Sequence, residues 1–219
     1  MDINRKRIHF AGSADKNISY DLLKYAHNLV RELVKSLATK GATFAVQVGQ
    51  EPLSVEDNPK PLPIIFDWTV IATVYESLQE GIINQSHDEP LIFVPTTNKT
   101  ESQIPPSRRE LWDTLLDKNI VHVNPVNREF GELRRNVLAE NGDILIALSG
   151  GAGTESLIDN YLVKQKTVIP LDLELGASCN DGSGETSNSA KKLLTEPNKF
   201  IRVSNVKNIY NILTQRCYN

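Results

Sequence analysis

The residues Ser149-Gly150-Gly151-Ala152-Gly153-Thr154 have the composition of an anion-binding turn. Small side chains let a phosphate reach backbone N–H groups, and the apolar helix that follows, with Leu157, Ile158 and Leu162, offers its positive end. The same glycines also suit a tight turn that only seats a helix on a sheet. A second turn, Ala11-Gly12-Ser13-Ala14, ends the first apolar run. There Ser13 can donate to a phosphate or ribose and Asp15 can accept from a hydroxyl, or the segment is a plain strand exit. Arg134 and Arg135 are adjacent, so on a helix they diverge and one of them faces any given neighbour. A guanidinium fork matches the fixed geometry of a pyrophosphate, whereas an ordinary solvated pair is the alternative. Glu51 and Asp67 can accept ribose hydroxyls, or serve as a loop charge and a structural acid respectively. No Gly-Lys-Ser/Thr follows either turn, which excludes a P-loop, and the glycines of the stronger turn fall too late in the chain for the dinucleotide fingerprint.

Other chemistries find no support. Cys179 and Cys217 lack CxxC spacing or a histidine cluster, so neither a disulfide framework, a zinc site nor a cysteine nucleophile is expected. His9, His27, His87 and His122 are scattered and receive no role. No metal or cofactor is expected. Trp68 and Trp112 read as core aromatics, or as adenine-stacking rings at a pocket edge. The stretch 176–188 is dense in small polar residues and reads as a ligand-contacting lid or a surface excursion.

The elements that must position these groups alternate between strand and helix patterns. Strands are expected at 7–12, 43–48, 91–94, 120–123, 143–148, 167–171 and 200–203. The clearest helix carries Leu22, Leu23, Ala26, Leu29, Val30, Leu33, Val34 and Leu37 on one stripe. Ser19 caps its start, and Lys40-Gly41 supplies a basic last turn and a left-handed stop. Further helices are expected over 64–80, around Leu111 to Leu116, over 130–140, and from near Gly153, Ser187 and Val206. Such alternation implies parallel strands joined by right-handed crossovers. The expected fold is α/β, a single doubly wound, Rossmann-like, mostly parallel sheet with helices on both faces, occupying residues 1–219 as one domain.

Composition agrees. The 219 residues are 40% hydrophobic, with Lys+Arg 24 against Asp+Glu 27 and a net charge of −3. That balance lacks the basic footprint of a duplex-binding protein, so no nucleic-acid partner is expected. No window reaches the roughly 18 to 20 continuous apolar residues of a membrane span, and the first residues lack a signal-peptide apolar region. A soluble, cytoplasmic protein is therefore expected.

The turn at 149–154 resembles the Pro-Gly-Gly-x-Gly-Thr-x-x-Glu signature of LOG-type nucleotide phosphoribohydrolases and their wider SLOG superfamily. By that resemblance, the arginine those enzymes carry on the preceding helix falls on Arg134, with Arg135 where a lysine is usual, and Gly12-Ser13 matches the opening Gly-Ser turn. With Glu51 added as a ribose acceptor on its own chemistry, the expected ligand site is Gly12, Ser13, Glu51, Arg134, Ser149, Gly150, Gly151, Ala152, Gly153 and Thr154. The chain departs from the signature at Ser149, the proline position, and at Leu157, the position of the catalytic glutamate. Glu155 points roughly 200° around the helix from Leu157 and is no direct substitute. The residues Gly49-Gln50-Glu51-Pro52, Ile65-Phe66-Asp67-Trp68 and Val168-Ile169-Pro170-Leu171 look like the STALD branch associated with sirtuin-like and TIR domains. That branch implies sensing of a NAD-derived cyclic nucleotide, of the cyclic ADP-ribose type, in Thoeris antiphage defence. A TIR-domain enzyme would make the ligand, an attached or associated effector domain would respond, and homo-oligomers are implied. The alternative is a LOG-type hydrolase that cleaves the N-glycosidic bond of nucleoside 5′-monophosphates, using Arg134 and a shifted acid such as Glu155.

Overall fold

The computed structural model describes residues 3–54, 61–85, 89–126, 131–171, 173 and 175. Its six strands are β1 (Arg7–Ala11), β2 (Thr43–Ala45), β3 (Ile92–Thr96), β4 (Val121–Pro125), β5 (Ile144–Ala147) and β6 (Thr167–Pro170). All pair in parallel, in the order β4-β3-β2-β1-β5-β6. The chain builds outward from β1 to β4, then crosses back to place β5 on the other side of β1. The switch in strand order thus lies between β1 and β5, where a doubly wound sheet leaves its ligand crevice.

Six helices complete the described elements: α1 (Tyr20–Ala38), α2 (Asp67–Gln79), α3 (Thr100–Gln103), α4 (Pro106–Asp117), α5 (Gly131–Asn141) and α6 (Ala152–Val163). The strand pleat sends alternate side chains to opposite faces. Ile8 and Phe10 join the larger core with α1, α2 and α4, while Ala45, Phe93 and Leu145 join a smaller core with Leu138, Ile158 and Tyr161 from α5 and α6. The first core explains the strict apolar stripe of α1. Ser19 caps that helix by accepting from the Leu22 N–H at 3.3 Å. At its other end Gly41 has φ 81°, and the N–H groups of Gly41 and Ala42 donate to Ala38 and Leu37 at 2.9 and 3.2 Å, a Schellman stop.

Several elements differ from the sequence expectation, among them β2, which ends at Ala45 and not at Val48. Helix α2 starts at Asp67 and not at Ile64, because 64 and 65 are claimed by extended pairing. Ile64 donates to Pro52 O at 2.9 Å and accepts from Ala14 N at 2.8 Å, and Ile65 bridges Ser13. Strand β3 runs through Pro95 instead of stopping there. The β2 ladder ends at Ala45 opposite Phe93, so no N–H is required of Pro95 on that side. The short helix α3 was not anticipated. The strand expected at 200–203, the helices near Ser187 and Val206, the segment 176–188, His87 and both cysteines lie outside the described residues. No helix among the described residues is long and apolar enough to cross a membrane.

Candidate functional site

The exits of β1 and β5 lie side by side at the switch point, and each is bent by glycine. Gly12 has φ 141°, and a Cβ there would stand 2.5 Å from Ser149 O. Gly150 has φ 123°, and a Cβ there would run into the Thr154 side chain and come 3.3 Å from Gly12 Cα. The two turns therefore lock together only without side chains at these positions. Ser149 adopts φ 127°, a conformation closed to proline and strained for other L-residues. This accounts for a serine at the proline position of the LOG-type signature. The turn then feeds directly into α6, with Gly151 at its N-cap position and no side-chain cap. The first N–H groups of α6 are thus left without a capping side chain.

In front of these turns is a cleft of about 320 Å³, lined by Gly12, Ser13, Gly153, Thr154 and Leu157 and by Gln47 to Gln50, Ile65, Asp67 and Gln103. Arg134 and Arg135 of α5 and the floor residue His9 complete it. The adjacency argument expected only one arginine to face the turn, yet both reach the cleft. Arg135 does so under restraint: its Nε donates at 3.1 Å to both Glu132 Oε2 and Ser156 Oγ, and an Nη donates to Glu132 at 2.7 Å. Glu132 also accepts from Ser156 Oγ at 2.8 Å and Asn160 Nδ2 at 3.1 Å. These bonds, those from Arg135 first, hold its carboxyl down at about 2. The network ties α5 to α6 and fixes the helix that carries Arg134.

Arg134 itself is left unspent. Its Nε is buried with no hydrogen-bond partner among the described residues. Burial, followed by repulsion from Arg135, pushes its pKa down, while Asp67 acts in the opposite sense. An orphaned guanidinium donor beside a cleft carries a desolvation cost that an anionic ligand can relieve.

Asp67 is the carboxyl that faces it. As first residue of α2 it occupies a helix N-terminus, not the helix interior that the sequence suggested. Its Oδ1 accepts from the Gln47 N–H at 2.7 Å. Burial nevertheless pushes the carboxyl up to about 6, against the downward pull of that hydrogen bond and of Arg134. The segment before α2 is pinned by His27, whose Nε2 lies 2.7 Å from Pro63 O and whose Nδ1 lies 2.7 Å from Thr69 Oγ1. A carbonyl only accepts, so Nε2–H donates and Nδ1 accepts the threonine hydroxyl. Burial, the main cause, lowers the pKa of His27 and favours this neutral ring.

Of the residues singled out from sequence, Gly12, Ser13, Arg134, Gly153 and Thr154 line the cleft, while Ser149, Gly150, Gly151 and Ala152 build the turn behind it. Glu51 is not among the lining residues; Arg108 holds it at 3.0 and 2.7 Å, with its side chain 8% exposed. Glu155 is not among the lining residues, and Leu157, where the LOG-type glutamate would stand, is buried at 4% exposure. Asp15 accepts from Asn17 N in a local turn at 2.7 Å. Both tryptophans are 0% exposed and pack edge to face, so they are core residues and no base stacks on them. His9, Gln47, Gln50 and Gln103 were not anticipated. His9 is fully buried, and desolvation lowers it to about 3, so it is neutral.

A six-stranded parallel sheet with a cationic cleft at its switch point places the chain among Rossmann-like α/β proteins. Within that class the chain belongs to the family described as ATP nucleosidase Cap17-like, N-terminal, which matches residues 3–214. Proteins named ATP nucleosidase Cap17, from Escherichia coli strain KTE188 and from Escherichia coli, are 26% identical over 184 residues, or 83% of this chain. The chain spans only 35% of the length of these relatives. Among solved structures, the molybdenum cofactor carrier protein of Chlamydomonas reinhardtii superposes with a TM-score of 0.55 at 14% identity, over 99% of this chain and 100% of that one. The molybdenum cofactor binding protein of Rippkaea orientalis does so with a TM-score of 0.55 at 14% identity, over 98% of both chains. These likenesses establish the shared fold.

Proposed function

We propose that this chain is a nucleotide sensor domain that binds a NAD-derived cyclic nucleotide of the cyclic ADP-ribose type in antiphage signalling. The observation that carries this reading is the partnerless Arg134 Nε beside the cleft at the switch point. A pyrophosphate would bridge Arg134 and the uncapped N-terminus of α6, and Ser13 and Asp67 would take ribose hydroxyls. Leucine at position 157 removes the LOG-type acid, which supports binding without turnover. Membership of a family named for the N-terminal part of an ATP nucleosidase supports a nucleotide-related role. In this reading a TIR-domain enzyme supplies the ligand, the sensor acts in the cytoplasm, and it works as a homo-oligomer.

One observation favours a second reading. Asp67 places a carboxyl near 6 in the cleft, and such a group can move a proton during N-glycosidic hydrolysis of a nucleoside 5′-monophosphate. Asp67, and not Glu155, is then the acid of this LOG-type alternative. Equilibrating the protein with cyclic and linear ADP-ribose nucleotides, NAD and AMP, then analysing retained and free species by mass spectrometry, separates the two. Retained intact cyclic nucleotide with no free base supports the sensor. Released base with ribose 5-phosphate replaces it with the hydrolase.

A further inference from the structure

The charges of the cleft set a condition on what it binds. Among the described residues three charged side chains line it, Asp67, Arg134 and Arg135. Glu132 stands outside the lining and offsets Arg135 through hydrogen bonds of 3.1 and 2.7 Å. Arg134 and Asp67 then nearly cancel, so the protein's own charges leave little surplus for an anion. A pyrophosphate that engages Arg134 takes from Asp67 its compensating cation and sets negative charge beside a carboxyl that is only partly accessible. In such a shared site an acid retains a proton, because a neighbouring like charge disfavours its ionisation. Asp67 is placed to hold one. Its Oδ1 is fixed by the Gln47 N–H at 2.7 Å, and a protonated carboxyl keeps that acceptor while its other oxygen gains an O–H donor. Burial already raises this carboxyl to about 6, so a bound anion has little further to move it.

The other titratable and charged groups around Asp67 do not compete for this proton. His9, from β1, is held neutral by burial, at about 3. His27, from α1, is lowered by burial and held between Pro63 and Thr69. Glu51, in the loop after β2, and Arg108, on α4, pair with each other at 2.7 Å. Glu155, in the first turn of α6, does not line the cleft. We propose that the cleft binds a proton together with its anion: Asp67 takes the proton from solvent as the anion engages Arg134, and the carboxyl O–H then donates to that anion. Its Oδ1 remains an acceptor, so a ribose hydroxyl can still be taken there. The inference deepens the sensor reading and rests on it for the position of the pyrophosphate.

Calorimetric titration with ADP-ribose at pH 7, repeated in buffers of different ionisation enthalpy, counts the protons. The pyrophosphate of ADP-ribose is a diester and lacks the ionisation at about 6 of a terminal phosphate; cyclic ADP-ribose takes its place if only that binds. The native protein is expected to take up between about half a proton and one proton per ligand, and its affinity to fall about tenfold from pH 6 to pH 8. Asp67→Asn keeps an acceptor for the Gln47 N–H and cannot take the proton. In that variant the uptake is expected to vanish and the affinity to vary by less than about twofold over the same range, with its melting temperature read alongside. The difference between the two proteins isolates Asp67 from any proton that the ligand itself exchanges. If the variant does not fold, the native protein alone reads the same coupling, since its uptake is expected to vanish by pH 4.5, where Asp67 is already protonated. No uptake, a release of protons, or an uptake equal in native and variant protein, with binding still dependent on Arg134, overturns the coupling and leaves the sensor reading standing. Binding of neither nucleotide, or binding indifferent to Arg134→Ala, overturns the two together.

Discussion

Arg134 and Asp67 line the same cleft and attract one another without a direct ion pair among the described residues. Arg134 therefore keeps its Nε donor for a third party, while Asp67 already spends Oδ1 on the Gln47 N–H. Arg134→Ala is expected to weaken a pyrophosphate ligand by about 1.5 to 3 kcal/mol, the range for hydrogen bonds to charged groups. Folding stability should not fall in parallel, because the deleted Nε is an unsatisfied buried donor. Arg134→Lys retains the charge but not the fork and should recover only part of the affinity. Calorimetric titration with a linear or cyclic ADP-ribose nucleotide, paired with thermal melts, checks both halves. Equal losses of affinity and stability would mark Arg134 as structural.

The Asp67 carboxyl gives a pH signature of known sign. Its native value of about 6 lies above the roughly 3.9 of an unfolded aspartate. Between those values the native state holds a proton that the unfolded chain has released, so this group makes stability fall as pH rises through the window. Asp67→Asn keeps an acceptor for the Gln47 N–H and removes the charge. The variant should be more stable than the native protein by about 1 to 2 kcal/mol at pH 7.5, with the difference shrinking towards pH 4. His9 and His27 act in the opposite sense on acidification, since burial depresses both. They are common to the two proteins and cancel in the difference. Melting curves of the pair at pH 4.5, 6 and 7.5 read this directly, and a difference independent of pH removes the assignment.

How much of this was legible in the sequence follows from which forces act locally. Helix α1 was readable to its cap because Ser19, the apolar stripe and Gly41 are all local signals. The turn at 149–154 was readable because glycine leaves few alternatives after a buried strand. Asp67 was misplaced within a helix because Ile64 and Ile65 look helical until Ser13, Ala14 and Pro52 claim them in extended form. Those contacts come from elements distant in sequence, which periodicity does not register. The glutamines were invisible for another reason: an amide has no spacing signature, and Gln103 reaches the cleft only through α3. Arg135 escaped the divergence argument because a long side chain on an adjacent helical position still reaches the cleft edge.

The glycines of the two turns should separate folding from binding. Gly12→Ala and Gly150→Ala each impose a Cβ on a left-handed backbone, against Ser149 O at 2.5 Å in the first case and against Thr154 and Gly12 Cα in the second. Each is expected to cost about 1 to 3 kcal/mol in chemical denaturation. Gly153→Ala is different: its added methyl meets only Arg135 Nη1, at 3.8 Å. In the first turn of α6 alanine should be neutral or stabilising by up to about 1 kcal/mol. The methyl nonetheless stands where a phosphate approaches the backbone, so affinity should fall by about 1.4 kcal/mol or more, a tenfold change. An alanine there that leaves both stability and affinity untouched places the phosphate elsewhere.

Glu51 offers the sharpest test between a ligand contact and a scaffold, because one partner already accounts for its carboxylate. Arg108 grips it through two nitrogens and lies 5.9 Å over the Trp68 ring, and Trp68 in turn holds Gly49 O. If the carboxylate serves only this chain of contacts, its removal acts through Arg108. Glu51→Gln and Arg108→Ala should each destabilise the protein by about 1 to 3 kcal/mol, and the double variant should lose much less than their sum. Affinity for a linear or cyclic ADP-ribose nucleotide should follow the same non-additive pattern, since both substitutions loosen the loop that carries Gln47 and Gln50. A direct ribose contact makes the opposite forecast: Glu51→Gln then lowers affinity by the same factor whether or not Arg108 is present. The double-mutant cycle, read once by denaturation and once by titration, therefore assigns Glu51 to the loop or to the ligand.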